Sequence, residues 1–129
     1  MLAAAFALLA YSRKVKKEIK IIVDEALTGR APMTPDHILG NLPPPVLRYA
    51  KYAIKDKKQM LAGAVVKQSG YIRTSKESPW LPLTAVQYLN GTRPGFIWVA
   101  RAGRGPKGWL SVRDMYHKGK GSMIIKLFS

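Results

Sequence analysis

The chain of 129 residues contains no cysteine. Disulfides, thiolate nucleophiles and cysteine-based zinc sites are excluded together. Because a chain without thiols suits a reducing or an oxidising space equally, the compartment stays open. Histidine is scarce as well: only His37 and His117, far apart in sequence, offer imidazole, which is thin support for a metal site. Acids number 7 against 22 lysines and arginines. Beyond residue 60 only Glu77 and Asp114 remain, too few for a paired-carboxylate mechanism. No long hydrophobic run is present either. The longest, Met1 to Tyr11, spans only about 16 Å as a helix, roughly half of a hydrocarbon core, so it cannot cross a bilayer alone. The pattern points to binding rather than catalysis and implies no cofactor.

What the chain has in excess is positive charge. A net charge of +15 favours anionic partners electrostatically, and an acidic lipid surface and a nucleic-acid backbone both qualify. The sign does not choose between them. The length fits one domain, and a mean hydropathy of -0.08 is too polar for a polytopic membrane protein.

In chain order, residues 1–30 read as an apolar and basic N-terminal anchor helix. Alanine and leucine in MLAAAFALLAY favour helix. Three readings stand for this run: the tail of a transmembrane anchor that begins upstream, an interfacial anchor, or an apolar helix start packed on the domain. A cleaved signal is disfavoured, since no basic region precedes the run. Arg13, Lys14, Lys16, Lys17 and Lys20 follow directly, where a lipid-anchored segment meets anionic headgroups at about 1 kcal/mol per cation. If the helix spans, these cations place the domain on the cytoplasmic side. The alternative is a solvated helix face. Val15, Ile19, Ile22, Val23, Ala26 and Leu27 make one apolar stripe that either docks on a sheet or lies on a membrane. Gly29 closes the helix.

Residues 31–129 read as a helix plus an antiparallel sheet. Thr34 and Pro35 signal a short helix start beside Asp36 and His37. Leu42 to Pro45 reads as a polyproline-like lead-in to an amphipathic helix, VLRYAKYAIKDKK. From Leu61 the apolar period changes to two, predicting strands near Leu61 to Thr74, Leu83 to Asn90, Gly95 to Arg104, Trp109 to His117 and Ser122 to Phe128. Short connections make these a meander, so the fold class is α+β, with amphipathic helices followed by a curved antiparallel sheet of about five strands. The tryptophan-rich stretch Trp80 to Asp114 is expected to build its core.

Alternation puts Phe96, Trp98, Ala100 and Ala102 of the third strand on one face, opposite Ile97, Val99 and Arg101, and Leu110, Val112, Asp114 and Tyr116 of the fourth on one face, opposite Arg113, Met115 and His117. Both faces are partly apolar. One is therefore expected under helices, and the other around an apolar or lipid-like ligand contacted by Phe96, Trp98, Val112 and Tyr116. Asp114 after Arg113 reads as an ion-paired or hydrogen-bonded structural residue, although a buried strand acid in a basic domain is also a site candidate. Arg104, Lys107, Lys118 and Lys120 lie among glycines in two turns, as tight hairpins or as anion-holding loops. Asn90-Gly91-Thr92 matches a glycosylation sequon and also an Asn-Gly hairpin turn. MIIKLF ends the chain as an apolar edge strand.

The segments LPPPVLRY, GYIR, WLPLTAVQYL, PGFIWVAR and VRDMYHKGKGSMIIKL resemble the N-terminal half of an uncharacterised prokaryotic membrane-anchored family of unknown function. The resemblance covers about residues 42 to 128, with PGFIW and VRDMYHKGKG its most specific pieces. It implies a helix-then-sheet fold, a membrane context, and further strands beyond the point where this chain stops. It brings no catalytic residues. The layout is also distantly similar to lipoprotein-carrier folds.

Overall fold

The computed structural model describes residues 2–29, 39–54, 61–104 and 109–127, with side chains from residue 8 onward. The first element is one unbroken helix, α1 (Leu2–Thr28). Neither glycine nor proline interrupts it, so the apolar start, the basic collar and the amphipathic stripe share one axis. It stops at Gly29, whose N–H donates to the Glu25 carbonyl at 3.0 Å. Any larger residue at 29 would drive its Cβ into the Thr92 side chain.

The second described helix, α2 (Pro44–Ala53), starts two residues earlier than the sequence suggests. Pro44 and Pro45 sit inside its first turn, where a missing N–H would have no helical partner anyway and φ is already suitable. Hence only Pro43 is extended, and the polyproline-like lead-in shrinks to the N-cap. The short helix expected at Thr34 and the lysines after Ile54 lie outside the described residues.

Five strands follow: β1 (Gly63–Ile72), β2 (Leu81–Asn90), β3 (Gly95–Ala102), β4 (Leu110–His117) and β5 (Lys120–Leu127). They pair in sequence order as an open antiparallel meander, with β1 and β5 at the edges. The fold is α+β, as the two-residue period predicts. The β4–β5 connection is the two residues Lys118 and Gly119, both at positive φ, which is the backbone of a type I′ hairpin. The β2–β3 connection lies where the sequence places it, at the Asn90-Gly91 turn signal. Asn90 pairs with Gly95, leaving a four-residue loop. The Asn90 side-chain carbonyl opens that loop by accepting from Thr92 N–H at 2.9 Å, Thr92 Oγ1 at 2.7 Å and Arg93 N–H at 3.1 Å.

The register sorts the sheet into two faces. Tyr88, Ile97, Val99, Arg113 and Met115 point to the near face, which α1 covers. Here Ile22 and Ile97 are fully buried and Met115 closes the cluster, with Ile19, Tyr88 and Val99 around it. Each fully buried aliphatic contributes about 1.5–3 kcal/mol. The core is therefore aliphatic rather than tryptophan-built. Trp80 and Trp109 each stand one residue ahead of a strand and are exposed, while Trp98 points to the other, far face. Within the α1 stripe, Val15, Ile22 and Ala26 are buried but Leu27 is exposed, because at 100° per residue it lies about 140° around the helix from Ile22.

Candidate functional site

The far face carries Val66, Gln68, Leu83, Gln87, Leu89, Phe96, Trp98, Val112, Asp114, Tyr116, Met123, Ile125 and Leu127, with Ala85 and Ala100 paired at its centre. Strand alternation alone brings the four expected ligand residues, Phe96, Trp98, Val112 and Tyr116, onto this one side. Phe96 and Tyr116 stack across β3 and β4 with ring centroids 6.5 Å apart. Trp98 donates its indole N–H to Gln68 at 2.6 Å in a solvent-exposed bond. Toward β5 the face is open: Met123 is 59%, Ile125 60% and Leu127 70% exposed. Such a run of exposed apolar side chains on an edge strand is unusual in a soluble surface.

Asp114 lies in the middle of this face. Its cross-strand neighbours are Trp98 and Met123, and Val112 and Tyr116 flank it along β4. The ion-paired or hydrogen-bonded structural role expected for Asp114 is not seen, and Arg113 cannot serve it, since adjacent strand residues point to opposite faces. Arg113 instead faces α1. Its Nε donates to Glu18 Oε2 at 2.8 Å, its Nη2 to Glu18 Oε1, and its Nη1 to the Ser122 carbonyl at 3.1 Å and hydroxyl at 2.6 Å. The Asp114 carboxylate has no hydrogen bond or ion pair among the described residues.

A second polar cluster sits where α1 ends. His117 Nε2 lies 3.0 Å from Glu25 Oε2, and Lys118 Nζ is 3.7 Å from Glu25 Oε1. Bonding to His117, reinforced by the charges of His117, Lys118 and Arg93 against a smaller opposing effect of burial, holds the Glu25 carboxyl below the usual glutamate range. Thr92 Oγ1 also donates to the Glu25 carbonyl at 3.3 Å. His117 and Asp114 are thus on opposite faces with different surroundings and form no dyad. Among the described residues no three His, Asp or Glu side chains gather as a metal site requires.

The cations separate into distinct places. Arg13, Lys14, Lys16, Lys17 and Lys20 are all exposed and lie opposite or beside the buried stripe of α1, on its outer side. Lys20 is paired with Asp24 at 2.6 Å. Arg104 follows the end of β3, while Lys118 and Lys120 flank the hairpin at the other end of β4. The length of β4 separates these two turns by about 24 Å, so they cannot hold one small anion. Lys107 lies outside the described residues.

Two features escape sequence reasoning. One is a groove of about 310 Å³ between the last turns of α1 and β1–β2, lined by Val23, Ala26, Leu27, Val65, Tyr88 and Leu89; none of the four expected ligand residues borders it. The other is the end of the sheet that carries the β1–β2 and β3–β4 connections. Trp80, Trp109 and Tyr71 are exposed there, and the Arg73 guanidinium stacks 4.8 Å from the Trp80 ring. Gly103, at φ 122°, has its open side filled by the Trp109 indole, which no side chain at 103 would allow. At the same end Tyr11 reaches Ser111 at 3.5 Å and lies under Lys126 Nζ at 4.5 Å, so the start of α1, with Leu8 and Leu9 exposed, projects past the tryptophans.

A family of unknown function, DUF6544, matches residues 31–129. The chain belongs to this family. No curated protein and no solved structure matches it. The DUF6544 segment holds α2 and the whole sheet, and it starts after α1, which supplies the near-face cover. Among the described residues no helix is long and apolar enough to cross a membrane.

Proposed function

We propose that this DUF6544 chain is a membrane-associated binding domain that holds an apolar or lipid-like ligand on the far face of its sheet. The observation that carries the reading is the composition of that face: broad exposed apolar surface, stacked Phe96 and Tyr116, and no lysine or arginine from any strand in a chain with 22 of them. Membrane association draws its support from a different part of the surface. Exposed Trp80, Trp109 and Tyr71 among Arg73, Arg104 and Lys126 suit a headgroup boundary, where amphipathic rings and cations are both stable. Leu8 and Leu9 extend α1 beyond that end, and the five cations on its outer side add attraction to anionic lipid.

Nucleic acid is the competing partner for the same cations. The strands place no cation on the far face to neutralise phosphate, and the described cations are spread over α1, α2, the near side of the strands and the turns rather than gathered along one groove. Sedimentation with phosphatidylglycerol vesicles, lipid extraction of the purified protein and a low-salt mobility shift with DNA and RNA separate the readings. The expected results are pelleting with anionic but not with phosphatidylcholine vesicles, and a recovered amphiphile. No pelleting, no amphiphile and a salt-sensitive nucleic-acid shift would give the assignment to nucleic acid.

A further inference from the structure

Asp114 is the single charged side chain that the strands place on the far face. It lacks an ion pair among the described residues, although the chain carries three times as many cations as acids and its neighbour Arg113 is engaged by Glu18. Around it stand Trp98, Tyr116, Val112 and Met123, with the Phe96 ring stacked on Tyr116. A half-buried carboxylate among apolar and aromatic side chains loses part of its hydration with no ion pair in return, whereas a bound ammonium supplies that interaction and gains the ring faces as well.

Resting on the apolar-ligand reading above, we propose that the far face takes a cationic amphiphile, with its ammonium group at Asp114 between Trp98 and Tyr116. Its hydrocarbon chain lies along Val112, Ile125 and Leu127, over the buried Leu110. That track runs about 14 Å down β4 and β5 from Asp114 and ends at the exposed tryptophans, the end read as facing lipid. An amphiphile leaving a bilayer there would enter tail-last, with its charged group reaching the acid in mid-sheet. A net charge of +15 disfavours a cationic ligand from afar, but that field is screened over about 8 Å at physiological salt, so contact with Asp114 decides.

The test is calorimetric titration of the full chain, at physiological salt and below micelle formation, with three probes sharing one tail: dodecyltrimethylammonium, dodecyl maltoside and dodecyl sulfate. The wild type is expected to bind the ammonium probe about ten-fold more tightly than the maltoside. Asp114→Asn should erase that preference and leave maltoside affinity unchanged, and Asp114→Glu should retain it. The exposed control Asp24→Asn should behave as wild type. Binding of all three tails without a preference for the cation, or a preference that survives Asp114→Asn, overturns this assignment while leaving the apolar-ligand reading intact. Binding of none overturns both. Thermal unfolding of each variant confirms that the comparison is between folded proteins.

Discussion

The two faces of one sheet are built on different rules. The near face is closed: Ile22, Ile97 and Met115 exclude water, Arg113 is matched by Glu18 and Ser122, and His117 and Lys118 are matched by Glu25. The far face is buried along its middle, at Ala85, Ala100, Ala102 and Leu110, but open toward β5, where its apolar side chains stand in solvent, and its one charge has no partner among the described residues. A closed face fixes α1 in register with the strands and has nothing left to offer a ligand. The open β5 side of the far face contributes little to folding, so its composition is free to answer to something outside the chain. Stability and binding should therefore separate by face, and substitutions that test the separation rank by how much each face contributes at the site.

The largest effect is expected at Arg113. Removing its guanidinium with Arg113→Ala leaves Glu18 without a counter-charge beneath α1, at a cost of about 3–5 kcal/mol. The midpoint of urea unfolding should fall accordingly. Joining Arg113→Met with Glu18→Leu should recover most of the loss, because a pair of apolar side chains carries no desolvation penalty. Failure of the double variant to recover would mean that the bonds to Ser122, which tie β4 to β5, matter more than the pairing with α1.

The sharpest contrast follows from one pair of isoleucines. Ile22→Ala on the near face opens a cavity at a side chain with 0% exposure and should cost about 2–5 kcal/mol. Ile125→Ala on the far face, at 60% exposure, should change stability by no more than about 0.5 kcal/mol. Amphiphile binding should respond in reverse, nearly unaffected by the first in protein that remains folded and weakened by the second. Equal stability losses at the two positions would show that Ile125 is covered in solution and that the two faces are alike in closure.

Much of this division is legible in the sequence. A two-residue apolar period locates all five strands, and alternation within GFIWVARA and LSVRDMYH assigns every side chain of β3 and β4 to the face it occupies. What alternation cannot supply is the partner across space. Glu18, Ile22 and Glu25 fall on the same side of α1, so two acids interrupting an apolar stripe are a visible sign of ionic contacts beneath the helix. Their mates, Arg113 and His117, are more than ninety residues away and become neighbours only through the register of the meander. The exposed tryptophans resemble core residues in sequence for a related reason. Their size and apolarity suggest burial, but their places, just ahead of β2 and β4, put them at the rim. Asn90 shows the same limit at short range: the sequon is present, yet the side-chain nitrogen is buried and the carbonyl is held by the loop, which leaves no access for a glycan.

The smallest expected effect concerns pH and the last turn of α1. Glu25 titrates below its ordinary range in the folded chain, chiefly because His117 bonds to its carboxylate. A carboxylate held down in this way stabilises the fold above the unfolded glutamate value, about 4.3, and that contribution disappears as pH falls through the lower folded value. The difference in unfolding free energy between wild type and Glu25→Gln should thus be steady from about pH 6 down to 5 and shrink below about 4.5. Asp24→Asn is the control, since its partner Lys20 is exposed and an exposed pair contributes little. If the Glu25→Gln difference stayed constant through acid, the carboxylate would not be the group that fastens this turn. Gly29 and Thr92, which meet the same helix end through the Glu25 carbonyl rather than its side chain, would then carry the attachment. Far-face binding should survive Glu25→Gln unchanged, because His117 and Asp114 project from opposite sides of β4, and freeing the imidazole on the near face leaves the Asp114 carboxylate where it was.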